Sequence, residues 1–203
     1  MPETIELSLR GGDFEAVVLK DGSGPPLLYL HGAVGQKGWA PFLSTLAEKF
    51  TVYAPYMPGY AKSTGLDKLD DVTDLTLYQF ELLDALGVSK THVVGHFLGG
   101  MIAAEMAAMS PSYVDKLVLA APAGTWRDDS PVADLLALTA SELQTELWSS
   151  PSSSMSLSKG VSTRSKSYSF FIIHCHAAKR FTNISCACKG IGISIWTLRV
   201  YIN

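Results

Sequence analysis

The segment Val93-Val94-Gly95-His96-Phe97-Leu98-Gly99-Gly100 constrains the fold more than any other part of the chain. A β-branched run leads into it, and an apolar run from Leu98 to Met109 leads out until Pro111 closes the helix. Turning a strand into a helix over so few residues puts the central residue, Phe97, in a strained backbone conformation. The glycines on either side belong where strand and helix back onto one another too closely for a side chain. Such a turn requires a sheet with helices packed against it.

The remaining pattern agrees. Short apolar runs at Leu27–Leu30, Thr51–Ala54, His92–Val94 and Lys116–Ala120 alternate with longer amphipathic stretches, the grammar of βαβ units on a largely parallel sheet. Residues 5–9 and 14–19 around Gly11-Gly12 read as a hairpin at an antiparallel edge. Val72, Leu75, Tyr78, Leu82 and Leu86 share one helical face, with Gly87 as C-cap. Trp39 to Lys49 forms a shorter helix candidate.

Charge divides the chain in two. Residues 1–150 carry all 19 acidic side chains against 9 basic ones, a balance of −10, whereas residues 151–203 carry 7 basic and no acidic residue. About five acids would be expected over a tail of that length in an ordinary soluble domain. The expected organisation is therefore a partial domain over 1–150, with the start of a cap at about 125–148, followed by a divergent basic, Ser-rich tail over 151–203 that is disordered or non-native. Its apolar runs, Phe170–Ile173 and Ile191 to Val200, have no evident partner strand. The formal net charge of −3 gives no reason to expect nucleic acid or an anionic membrane as partner. Without a signal-peptide pattern or an 18-residue apolar run, a cytoplasmic location is expected.

The strand–turn–helix segment resembles the nucleophile elbow of the α/β-hydrolase family, G-H-S-x-G-G, with Phe97 in the nucleophile's place. His31-Gly32-Ala33-Val34-Gly35, directly after a strand, is similar to the family's H-G oxyanion loop. Ala54-Pro55-Tyr56-Met57-Pro58-Gly59-Tyr60-Ala61-Lys62-Ser63 is similar to its A-P-D-x-P-G-x-G-x-S loop, from which Tyr56 and Ala61 depart. The resemblance covers roughly residues 5–148. It implies an α/β-hydrolase fold with an incomplete, mostly parallel sheet, flanking helices and an irregular tail.

In the family a serine attacks the carbonyl, a histidine takes its proton and an acid orients the histidine. Phe97 is then a degenerate nucleophile position. The backbone N–H groups of Leu98 and Ala33 match the oxyanion donors, while His31, Gly32, Gly95, His96, Gly99 and Gly100 are motif residues that support the backbone. Asp128 and Asp129, which follow the strand ending at Ala120, read as a solvated turn rather than the acid. His174 and His176 lack the strand–loop context of a triad histidine. His174, Cys175, His176, Cys186 and Cys188 match no zinc ribbon or finger spacing, so neither metal nor cofactor is expected. Ser63 reads as a loop or cap hydroxyl.

The expected function is that of a catalytically inactive, truncated remnant of a cofactor-independent ester or carbon–carbon bond hydrolase. Its only suggested ligand is a small apolar molecule. Two readings stay open beside it: a pseudo-hydrolase that binds a ligand or a partner, and an active hydrolase with an unrecognised nucleophile.

Overall fold

A computed structural model describes residues 1–124, 168–174 and 195–200. In chain order the main elements are β1 (Glu3–Leu9), β2 (Phe14–Asp21), β3 (Pro26–Leu30), α1 (Pro41–Ala47), β4 (Thr51–Pro55), α2 (Val72–Ala85), β5 (Thr91–His96), α3 (Leu98–Met109), β6 (Val114–Ala120), β7 (Tyr168–His174) and β8 (Ile195–Val200). The strands form one sheet in the order β1-β2-β4-β3-β5-β6-β7-β8. Its centre is parallel, with β4, β3, β5 and β6 side by side, and β1 and β2 add an antiparallel hairpin through Leu9↔Phe14. Each parallel neighbour is reached by a crossover, as a right-twisted sheet requires.

Both faces of the sheet are covered, and β3 shows why its sequence is apolar at every position. Leu27 and Tyr29 pack with Leu43 of α1 and with Val52 and Ala54 of β4. Leu28 and Leu30 point the other way, into a core with Val93, Leu117, Leu119 and the buried Ile102, Ala103 and Met106 of α3. Burying a side chain the size of Ile102 or Met106 contributes about 1.5–3 kcal/mol, so the α3 contact is a main source of stability. An element apolar on both faces must lie between two layers.

Helix α2 follows its sequence signals. The Asp71 carboxylate accepts from the N–H groups of Thr73 (2.7 Å) and Asp74 (3.0 Å), filling two donors that the first turn leaves open. Gly87, at φ 71°, ends the helix, and the Val88 N–H reaches back to the Leu83 carbonyl. Arg10 joins the β1–β2 turn to α2 through a two-pronged bond to Glu81, with distances of 2.7–3.0 Å. Helix α1 is shorter than its sequence suggests, because Pro41 occupies its first turn.

The described residues of the tail form two strands. Tyr168–His174 pairs antiparallel with β6, and Ile195–Val200 is the next strand. The exposed backbone row of β6 is a template for any β-branched or aromatic run, and Phe170–Ile173 is one. The remaining tail and the expected cap start at 125–148 lie outside the described residues. Two compact units divide the chain, and the first comprises Met1–Thr125 with Phe170–Leu198. The second falls almost wholly outside the described residues. No helix among the described residues is long and apolar enough to cross a membrane.

One buried group works against stability. Gln79 of α2 is fully buried, yet neither its amide nitrogen nor its oxygen has a hydrogen-bond partner among the described residues. Leaving such a group unpaired costs about 1–3 kcal/mol. Gln79→Met, close in volume and apolar, is expected to raise stability by about 1 kcal/mol, read as a higher urea midpoint at unchanged slope. A lower midpoint would mean that the carboxamide is satisfied after all.

Candidate active site

The elbow is built from backbone. Phe97 has φ 49° and ψ −111°, outside the regions a side-chain-bearing residue normally adopts. Its N–H donates to the Ala120 carbonyl (3.0 Å), continuing the β5–β6 ladder. Its carbonyl accepts from Gly100 (3.0 Å), Met101 (3.1 Å) and Ala123 (3.0 Å). With these four bonds the residue cannot relax toward ordinary geometry without breaking the helix start or the sheet edge.

The neighbouring glycines are steric necessities. A Cβ on Gly95 would lie 2.7 Å from the Gly100 Cα, one on Gly99 would lie 2.7 Å from the His31 carbonyl oxygen, and one on Gly100 would meet the Pro122 side chain at 2.8 Å. The close approach at Gly99 permits a bond, since its N–H donates to the His31 carbonyl at 3.1 Å. That bond fastens the His31–Gly35 loop to the first turn of α3. The loop therefore sits against the elbow, where a Cβ on Gly32 would be 3.3 Å from the Phe97 Cβ and 3.0 Å from His96 Nδ1.

His31 is buried and fully partnered. The Met57 N–H donates to its Nε2 (3.1 Å), which places the ring proton on Nδ1, where it is donated to the Gly32 carbonyl (2.8 Å). Burial pushes its pKa below the ordinary value, opposed by the Gly32 bond and assisted by His96. A neutral ring with both nitrogens occupied holds two loops together. Tyr60 completes the clasp: its ring stands edge-on to His31 at 4.9 Å, and its hydroxyl donates to the Ala33 carbonyl. Gly35, at φ 75°, is confined by the Tyr60 ring, 2.7 Å from where its Cβ would be.

The other sequence candidates sort themselves by position. Ser63 is buried and its hydroxyl accepts from the Val17 N–H (3.0 Å), so it ties its loop to β2. Ala61 stands at the family's glycine position with φ 51°. Neither the Leu98 nor the Ala33 N–H has an acceptor among the described residues. His174 faces Lys116 in the β6–β7 register, whereas Ala120 is level with His96. Four residues of strand put it about 13 Å from the elbow's edge of the sheet. Asp128, Asp129, Cys175, His176, Cys186 and Cys188 lie outside the described residues. Among the described residues no group of three His, Cys, Asp or Glu could hold a metal ion. Sequence reasoning missed the Tyr60 contact and the role of Pro122 and Ala123, and only the P-G-Y tripeptide hinted at the former.

A strand-to-helix elbow, a facing H-G loop and this strand order define a hydrolase-type α/β protein. The family model described as alpha/beta hydrolase fold matches residues 25–149, and the chain belongs to that family. A soluble epoxide hydrolase of Corynebacterium sp. strain C12 is 38% identical over 103 residues, covering 48% of this chain and 35% of the relative. A 2-hydroxy-6-oxononadienedioate/2-hydroxy-6-oxononatrienedioate hydrolase of Dechloromonas aromatica is 33% identical over 114 residues, covering 54% and 36%. Among solved structures, a bacterial membrane phospholipase A matches with TM-score 0.58 and 29% identity over 63% of this chain and 42% of its own. Naproxen esterase of Bacillus subtilis matches with TM-score 0.53 and 26% identity over 58% and 42%. The chain spans about a third of the length of these curated relatives.

The strain at position 97 can be measured. Phe97→Ala keeps a Cβ at φ 49° and loses the ring, whereas Phe97→Gly loses the ring and the strain together. The glycine variant is expected to be the more stable of the two by about 1–2 kcal/mol, the reverse of the usual order. A more stable alanine variant would show that Phe97 does not hold the elbow conformation.

Proposed function

We propose that this chain has lost the serine catalysis of a cofactor-independent ester or carbon–carbon bond hydrolase while keeping the family's carbonyl-holding backbone. The observation that carries the reading is the side chain at the elbow. Phe97 has the backbone conformation from which a nucleophile would be presented, and its side chain has no lone pair to attack with. The free N–H groups of Leu98 and Ala33 are the oxyanion donors, and they survive the loss of the serine because they belong to the main chain. The apolar surroundings support a small apolar ligand, since Val34 is 88% exposed beside the loop while Leu98 and Met101 are half-buried. The relatives' names agree in class, as both curated enzymes above are hydrolases.

The test is labelling with a fluorophosphonate, which modifies activated hydroxyl nucleophiles. The native chain is expected to remain unlabelled. Phe97→Ser is expected to stay unlabelled as well, because the parts of a serine triad act as a unit and a serine alone leaves a deficit on the order of 10⁶ in kcat. Rapid labelling of the native chain would show a working nucleophile elsewhere and overturn the reading. Rapid labelling of Phe97→Ser alone would mean that a base and an acid already serve the elbow.

A further inference from the structure

We propose that His96 is a nucleophile in its own right, giving this chain a slow hydrolytic activity toward small activated aryl esters that is independent of a serine. The proposal rests on the reading of Leu98 and Ala33 as free carbonyl-oxygen donors. It does not use the family's nucleophile, acid or histidine.

Three observations converge on His96. It is the residue immediately before the elbow, and a Cβ on Gly32 would lie 3.0 Å from its Nδ1, so the imidazole sits beside the peptide that carries the Ala33 N–H. It is exposed, and among the described residues its ring has no hydrogen-bond partner, in contrast to His31, whose two nitrogens are both occupied. A neutral imidazole then presents one nitrogen with an unshared pair to solvent. The third observation is its charge state. Desolvation of the part of the ring that packs on the protein pushes its pKa below the ordinary 6.5, and His31 is a titratable group near it. The ring is therefore neutral and nucleophilic at pH 7.

The neighbourhood selects the substrate class. The half-buried Phe97 and the exposed Val34 offer an apolar, partly aromatic surface on which an aryl leaving group can stack. Among the described residues the elbow's hydrogen-bond partners are backbone groups, so the favoured leaving group is one that departs unaided as a stable phenolate. In the first step the unshared pair of the imidazole forms a bond to the acyl carbon, the carbonyl oxygen becomes an oxyanion facing the two free N–H groups, and the C–O bond to the aryloxide breaks. The acylated ring loses its other N–H proton to solvent. Water then attacks the acyl carbon, one of its protons goes to the ring as the N–acyl bond breaks and restores the neutral imidazole, and the carboxylic acid departs and gives its own proton to solvent. Ester and water are consumed, and carboxylate and phenol are formed.

The experiment follows p-nitrophenyl acetate hydrolysis by the full chain, with a parallel fluorophosphonate reaction. The expected kcat/KM exceeds the second-order constant of free imidazole by at least about tenfold, below the 10²–10³ that one well-placed oxyanion donor provides in an evolved site. The rate should level off at a lower pH than for an unperturbed histidine, and His96→Gln should return it to the free-imidazole level with an unchanged thermal melt. Acid-quenched native protein should carry the acetyl group on the peptide containing His96, a readout that needs no variant. Activity unchanged in His96→Gln, or acetylation confined to other histidines, would overturn the proposal. If that residual activity came with fluorophosphonate labelling, the serine-free reading would fall too. Without labelling, only the role of His96 would.

Discussion

The site depends on one backbone contact, the hydrogen bond from the Gly99 N–H to the His31 carbonyl. It joins the loop after β3 to the first turn of the helix after β5, and it forms because β3 and β5 are parallel neighbours with Leu30 level with Gly95. Main chain meets main chain at this distance only where side chains are missing, which is why the glycines at 95, 99 and 100 cannot be replaced. Both layers of the core serve this contact. Leu28, Leu30 and Val93 hold the strands in register, and Ile102 and Met106 press α3 onto them.

Because the elbow is fixed by main chain, its shape is independent of the chemistry at its tip. Phe97 is held at positive φ by a ladder bond on its nitrogen and three donors on its carbonyl, whatever its side chain. The same separation protects the loop opposite. His31 and Tyr60 hold Gly32 and Ala33 through carbonyl groups, leaving the Ala33 N–H without an acceptor among the described residues. The frame of the elbow can thus persist whatever residue stands at its tip.

Much of this was legible in the sequence, for physical reasons that differ by element. The hairpin around Gly11-Gly12, helices α2 and α3 and the four central strands announce themselves through local signals: caps, glycine stops and apolar periodicity. The positive φ at Phe97 was expected from the resemblance to a nucleophile elbow. Pairing of the Phe170–Ile173 run with β6 was not legible, because an edge accepts any compatible strand and the run carries no sign of its partner. Nor was the Tyr60 contact, which joins two loops whose approach depends on the sheet order. The unpartnered Gln79 was equally hidden, since its position in α2 fits the helix pattern while its burial comes from the packed layers.

Amide hydrogen exchange at the elbow tests the central claim, that the loop and the helix start are locked by backbone and that two donors are left over. Gly99, Gly100 and Met101, whose N–H groups are bonded to carbonyls of His31 and Phe97, are predicted to exchange slowly, at rates set by opening of the core. Leu98 and Ala33, which have no acceptor among the described residues, are predicted to exchange orders of magnitude faster in the same sample. Slow exchange at Leu98 with fast exchange at Gly99 would contradict the account, because it would describe a helix that starts without the loop and an elbow that is not there.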